Sequence, residues 1–381
     1  MSLSAAPREL DDPRQDGAMT SALVELRPEP APVPRPRLRV LDGLRIVAAV
    51  VVLSAHYVHP AIWGKRENKE LFGPVAEVAR YGWLGVELFF MISGFVICMS
   101  AWGRPLGAYL RSRVVRLGPA YWFCALVTGT VMGICAAVYG MRGPTVSQVL
   151  TNLTMVQMPL NSPSLDPSYW TLWSEARFYL IFAIVAWKGL TYRRVMNFCW
   201  IWTVASILAP ASGLPLLALV ANQTYSPLFI SGICFYLIRR EGARVGEPWI
   251  LLGLSWLLMQ RYMTDIPGWN TRAGDRLSWE VPVIVVTCCY VVMAAVALGW
   301  LDRIDWRWLS VAGAMSYPLY LLHQQVGVTL MERWERDVDP YVLVLSMTGS
   351  MLLLSWLIVR FVERPGSAAL KRMLERRPVR A

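Results

Sequence analysis

Long apolar blocks constrain this chain more than any other feature. They fall near 43–61, 81–101, 119–139, 169–187, 195–210, 215–238, 248–263, 281–300, 308–330 and 341–361. A bilayer core about 30 Å thick is crossed by about 20 residues of helix, and several blocks reach that length. Within hydrocarbon an isolated apolar segment satisfies its backbone polar groups only as a helix. The blocks therefore predict an all-α, polytopic membrane protein of about ten transmembrane helices. A hydrophobic content of 55% agrees, as does a mean hydropathy of +0.41.

The net charge of +11 is that of many nucleic-acid binders, but its distribution argues for topology instead. Of 37 Lys and Arg residues, 26 fall on the side of the ten-span scheme that holds both termini. Ten fall on the other side, and Arg177 lies inside a span. Such a bias puts both termini in the cytoplasm of a protein of the plasma (inner) membrane, with lipid rather than nucleic acid as its surroundings. Residues 1–40 hold seven prolines and six arginines with no apolar run, the composition of a disordered tail. No cleavable leader is expected ahead of the first block. The transmembrane domain is expected over 41–365, and a basic cytoplasmic tail over 366–381.

Seven cysteines sit in or beside the apolar blocks without a C-x-x-C pair, and there are only three histidines. The cysteines read as small buried hydrophobes, and no metal site is expected. The segment 140–168, assigned to the outer side, is polar and proline-bearing, yet it spaces Val149, Leu150, Leu153, Val156 and Leu160. It reads equally as a short interfacial helix or lid and as a plain connection.

Ionisable residues within spans are costly and normally face a cavity or a partner. Arg45 and His56 share the first block, "LDGLRIVAAVVVLSAHY", eleven positions apart. Eleven steps of 100° end about 20° past three full turns, so both lie on one helix face, about 16 Å apart along the axis. The stripe between them passes Ala49 and Val52, neither bulky, and a slender ligand arm is expected to lie there. Arg113 and Arg116 are three apart at the cytoplasmic end of the third block, and so share a face. Glu175 and Arg177 lie in the fourth block, and His323 in the ninth.

Each residue also has a plainer reading. The arginines serve equally as interfacial anchors with snorkelling stems. Glu175 serves as an ion-pair partner of Arg45 or Arg177, and His323 as a hydrogen-bonded core residue. Taken together, Arg45, Arg113 and Arg116 gather positive charge at the cytoplasmic ends of their spans, with His56 deeper in. A phosphate-bearing donor held from the cytoplasm, with a proton acceptor further in, describes group transfer across a membrane.

The chain resembles the integral-membrane acyltransferase family 3, whose members O-acylate bacterial surface glycans, nodulation factors and macrolide sugars. The resemblance spans about residues 38–366. It is carried by "LDGLR" with His56, "FFMISGFVI" at Phe89–Ile97 and "RSRVVRLGPAY" at Arg111–Tyr121. The run from Trp170 to Tyr179, "FISG" at Phe229–Gly232, "SYPLYLLH" at Ser316–His323 and "VERP" at Val362–Pro365 complete it. The resemblance implies acyl-CoA, acetyl-CoA foremost, as a donor substrate and no permanently bound cofactor. It also implies a carbohydrate or glycosylated natural product as acceptor. It places Arg45, Arg113 and Arg116 on the donor, makes His56 the general base, and has Glu175 orient an arginine or the acceptor. His323 is a second acid–base candidate. Ser93 is not in a G-x-S-x-G elbow, and the Ser93-Gly94 pair is read as a close-packing device. The competing class is a transporter or flippase. Related halves with paired broken helices would mark one, and the second half shows no counterpart of the Arg/His motifs.

Overall fold

The structure is a computed structural model and describes residues 38–59, 62–63, 68–140, 142–265 and 278–375. The tail over 1–40 lies outside the described residues except for its last three positions, as do residues 376–381. The described residues form helices and connections, with no strand among them.

Fourteen helices carry the argument. They are α1 (Arg39–Tyr57), α2 (Gly85–Ala101), α3 (Leu106–Tyr139), α4 (Val146–Asn152), α5 (Trp170–Trp187), α6 (Tyr192–Ser212) and α7 (Pro215–Ala221). There follow α8 (Ser226–Glu241), α9 (Gly246–Asp265), α10 (Glu280–Ala297), α11 (Arg307–Leu322), α12 (Val328–Trp334), α13 (Pro340–Ile358) and α14 (Arg364–Glu375). Two π-turns interrupt the series, His323–Gly327 between α11 and α12 and Val359–Glu363 between α13 and α14.

Seven helical runs among the described residues are long and apolar enough to cross a membrane. They are α1, Pro74–Ala101, α3, α6, Pro215–Glu241, α10 and Pro340–Glu375. Helices α5, α9 and α11 do not meet that measure of length and hydropathy. Helix α11 is only 16 residues long, and α5 carries Glu175 and Arg177 within its 18.

Two elements depart from the sequence expectation. Helix α3 begins at Leu106, well before the apolar block at 119, and runs 34 residues through Pro119. At 1.5 Å per residue it is about 50 Å long, so its first turns extend beyond a bilayer core. Arg113 and Arg116 therefore sit on a rigid helix rather than in a connection. The block at 215–238 is broken at Asn222, whose φ of +44° ends α7 before α8 starts.

Close helix approach sets the architecture. Helix α2 packs along α8, and a Cβ on Gly94 would collide with the Phe229 carbonyl oxygen, while one on Gly232 would collide with that of Met91. These glycines let two helices meet backbone to backbone. Ser93, beside Gly94, turns the other way, into a cavity. Helix α1 is held between α2 and α11. All seven cysteines are free. Five are buried as expected, but Cys288 is exposed on α10 and Cys289 is half-buried.

Candidate active site

Five helices, α1, α2, α3, α5 and α11, enclose a cavity of about 380 Å³. Arg45 reaches it from α1, Arg113 and Arg116 from α3, and Glu175 from α5. The remaining wall is mixed: Val86, Phe89, Phe90 and Ser93 on α2, Tyr179 on α5, and Ser316, Tyr317 and Tyr320 on α11. Four of the six singled-out residues thus share one space, although they come from sequence positions 130 residues apart.

The three arginines are not equivalent. Arg116 is paired with the Glu363 carboxylate of the second π-turn. Arg45 lies 3.8 Å from Asp42, one helical turn behind it. Arg113 makes no ion pair among the described residues. Its Nε donates to Ser112 Oγ at 3.2 Å, and its guanidinium lies 6.0 Å from the Tyr179 ring centre. Arg113 is therefore the one of the three whose charge no carboxylate among the described residues offsets, which leaves it available to an anion.

Glu175 pairs with neither Arg45 nor Arg177. Its Oε1 accepts from Ser93 Oγ at 2.6 Å and from the Tyr179 hydroxyl, one turn along α5. Arg177 instead reaches Asn222 Oδ1 at 2.7 Å and the Leu219 carbonyl at 3.2 Å, tying α5 to the end of α7. Ser93 is thus a donor to a carboxylate as well as a neighbour of the close-packing glycine. The sequence reading saw only the second role.

His56 and His323 lie apart from the residues named as lining the cavity, and face each other with ring centres 5.2 Å apart. Tyr320 stands at the boundary. It lines the cavity, its ring centre is 5.7 Å from that of Phe89, and it is 5.3 Å from that of His323. The apolar stripe between Arg45 and His56 is not an open groove. Ala49 and Val52 are each 2% exposed, and Val52 packs where Gly85 of α2 approaches. Tight α1–α2 packing fills the path that small side chains were expected to leave, so the cavity runs along Phe89 and Tyr320 instead.

His323 is 1% exposed, and its Nδ1 lies 2.8 Å from the Tyr320 carbonyl oxygen. A carbonyl only accepts, so this nitrogen carries the proton and Nε2 keeps its lone pair. That Nε2 is buried and has no hydrogen-bond partner among the described residues. Segment 140–168 contains helix α4, capped by Thr145. Its final residues fold under the end of α11, where Asp166 lies fully buried. Burial pushes the Asp166 carboxyl up to about 6, while hydrogen bonds from Ser168 and the Gln325 backbone pull the other way. Sequence reading missed Tyr179, Tyr320, Glu363 and Asp166. Tyr179 was one turn from Glu175 and Tyr320 one turn from His323, so a search for polar neighbours at i±3 and i±4 would have found both.

Seven helical runs long and apolar enough to cross a membrane, with a cation-lined cavity among the helices, mark a multi-pass membrane protein. The acyltransferase domain family matches residues 38–360, and the chain belongs to this integral-membrane acyltransferase family 3; it is an acyltransferase. The acyltransferase MdmB of Streptomyces mycarofaciens is 25% identical over 90% of this chain and 94% of its own length. The exopolysaccharide production protein ExoZ of Rhizobium meliloti is 34% identical over 27% of this chain and 33% of its own length. Protein 2 in the picA locus of Rhizobium radiobacter is 32% identical over 29% of this chain and 53% of its own length. No solved structure matches the chain.

Proposed function

We propose that this acyltransferase moves an acetyl or other short acyl group from acyl-CoA to a hydroxyl of a sugar, in a surface glycan or a glycosylated secondary metabolite. One observation carries the reading: Arg45, Arg113 and Arg116 line one cavity whose wall residue Tyr320 also contacts His323, the ring neighbour of His56. Phosphates of the donor would bind the guanidinium end, Arg113 foremost, with both termini and the donor on the cytoplasmic side of the inner membrane. The named relatives, one an acyltransferase and one a protein of exopolysaccharide production, support a carbohydrate-type acceptor.

In this reading His56 takes the proton of the acceptor hydroxyl as its oxygen attacks the thioester carbonyl. The C–O bond forms, the C–S bond breaks, and CoA leaves as thiolate, which takes up a proton. A histidine suits this task because its ordinary pKa near 6.5 leaves it mostly neutral at pH 7. His323, with its lone pair on Nε2, is the second acid–base group. Glu175 holds Ser93 and Tyr179 in the cavity wall.

The test is thiol release by the full chain in nanodiscs, given acetyl-CoA and a panel of sugar acceptors. Acceptor-dependent release of CoA is expected. Movement of acceptor across a sealed bilayer without thiol release would replace the reading with transport. Mass spectrometry of surface glycans and secreted metabolites from a deletion strain, searched for one lost acyl mass, would identify the acceptor.

A further inference from the structure

The stretch "SLDPSYW" reads locally as a helix start, with Asp166 as N-cap and Pro167 in the first turn. An N-cap needs one acceptor, and Asp166 Oδ1 supplies it to the Ser168 N–H at 2.8 Å. The second oxygen is not left to solvent. Oδ2 accepts from the Gln325 N–H at 2.8 Å, 159 residues away, inside the π-turn that begins with His323. The carboxyl is 0% exposed.

The neighbours of Asp166 continue the pattern. Ser168 Oγ donates to the Tyr320 carbonyl at 3.3 Å, and the Tyr169 hydroxyl to that of Leu321 at 3.4 Å. The Tyr320 carbonyl is the same one that holds His323 Nδ1. A π-turn interrupts the regular helical ladder and recurs at functional sites, so its backbone groups need partners from outside. Here residues 166–169 supply them on both sides of His323. A Ser or Asn would cap the short helix without burying a carboxyl, which is costly to bury. The choice of Asp is explained by its second acceptor oxygen.

We propose that Asp166 is a positioning residue for His323: by binding the Gln325 N–H it holds the π-turn that fixes the orientation and tautomer of the imidazole. The segment 140–168 is then part of the site's support. The kinetic arm of the test rests on the acyl-CoA reading above, and the spectroscopic arm does not.

Asp166→Asn keeps the side-chain volume and one acceptor, and brings an NH2 to either Ser168 or Gln325, donor against donor. In the full chain in nanodiscs, kcat for CoA release should fall about 10–100-fold while donor KM stays within about twofold, the pattern of a misplaced reacting group. In a His323→Ala background the same substitution should add little further loss, because the two act as a unit. Multiplying losses, or unchanged kcat per folded molecule with lowered thermal stability, would make Asp166 structural only and overturn the proposal. With only three histidines, ¹⁵N-histidine spectra of the full chain read the ring directly, the His323→Ala spectrum giving the assignment. The His323 signal should report Nδ1–H in the natural protein and a tautomer mixture in Asp166→Asn. An unchanged signal in the variant overturns the proposal even if the natural protein releases no CoA, an outcome that would sink only the acyl-CoA reading.

Discussion

The arginine-lined cavity and the histidine pair lie on either side of Tyr320, and they are built in different ways. In the cavity, charge is held by long side chains: Arg116 on Glu363, Arg45 near Asp42, and Arg113 over a tyrosine ring. At the histidines, one imidazole is held by a main-chain carbonyl, and its other nitrogen has no hydrogen-bond partner among the described residues. Long flexible cations suit binding a mobile polyanion, because they can follow it. A buried ring fixed by backbone suits a step in which one atom must be placed within a fraction of an ångström. Under the proposed function the difference separates binding from reaction, and substitutions on the two sides should then fail differently.

The largest effect is expected at the histidines. His56→Ala should lower kcat by about 10²–10⁴-fold with little change in donor affinity, the usual loss for a positioned general base. His56→Gln should fail similarly, since an amide accepts no proton near neutral pH. His323→Ala should cost less than His56→Ala. Wild-type turnover in the glutamine variant would make His56 a packing residue and His323 the leading base.

On the cavity side the effect should appear in donor KM instead. Arg113→Ala should raise it about tenfold, roughly the worth of one charge-assisted hydrogen bond. Arg116→Ala should raise it less, because Glu363 already engages that guanidinium. Lysine at 113 should rescue only partly, lacking the bidentate fork. If both alanine variants lowered kcat and left KM alone, the cavity would not be the donor site, and the contrast between the two regions would dissolve.

A smaller effect concerns stability. The Asp166 carboxyl titrates at about 6 in the folded protein against an ordinary 3.8, burial being the main cause. Between those values the folded chain keeps a proton that the unfolded chain has released. Stability from this group therefore falls as pH rises from about 4 to about 6 and stays level above. Asp166→Asn should flatten that part of the curve, as thermal melts in nanodiscs at pH 4.5 and 6.5 would show. An unchanged slope would mean that another group carries it. The smallest effect is expected from removing residues 1–35, which should leave transfer in membranes nearly intact, since their composition offers no core to contribute. Lost transfer at undiminished protein level would make that tail a binding element.

Much of this was legible in the sequence because it is local. Block length and hydropathy required helices, and the 3.6-residue period put Arg45 and His56 on one face of α1 and Arg113 and Arg116 on one face of α3. The order of motifs was enough to point to the family to which the chain belongs. The apolar block near 119–139 did not report where the helix starts: α3 begins at Leu106 and continues through Pro119. A proline within a long helix can be carried when surrounding packing compensates for the lost hydrogen bond.

By itself, then, the sequence determined the helical class, the family and six candidate residues. The tertiary structure decided which of them meet. It put Arg45, Arg113, Arg116 and Glu175 around one cavity and set Tyr320 between that cavity and the histidines. It gave Glu175 to Ser93 and Tyr179 rather than to an arginine, gave Arg116 to Glu363, and hung the His323 turn on Asp166. Helical periodicity reports only neighbours within a few residues. Arg116 and Glu363 are 247 residues apart, and Asp166 and Gln325 are 159 apart. Such pairs form only because helix packing brings distant segments together and buries Asp166 and Glu363, whose carboxylates then take their partners from the packed chain instead of from water.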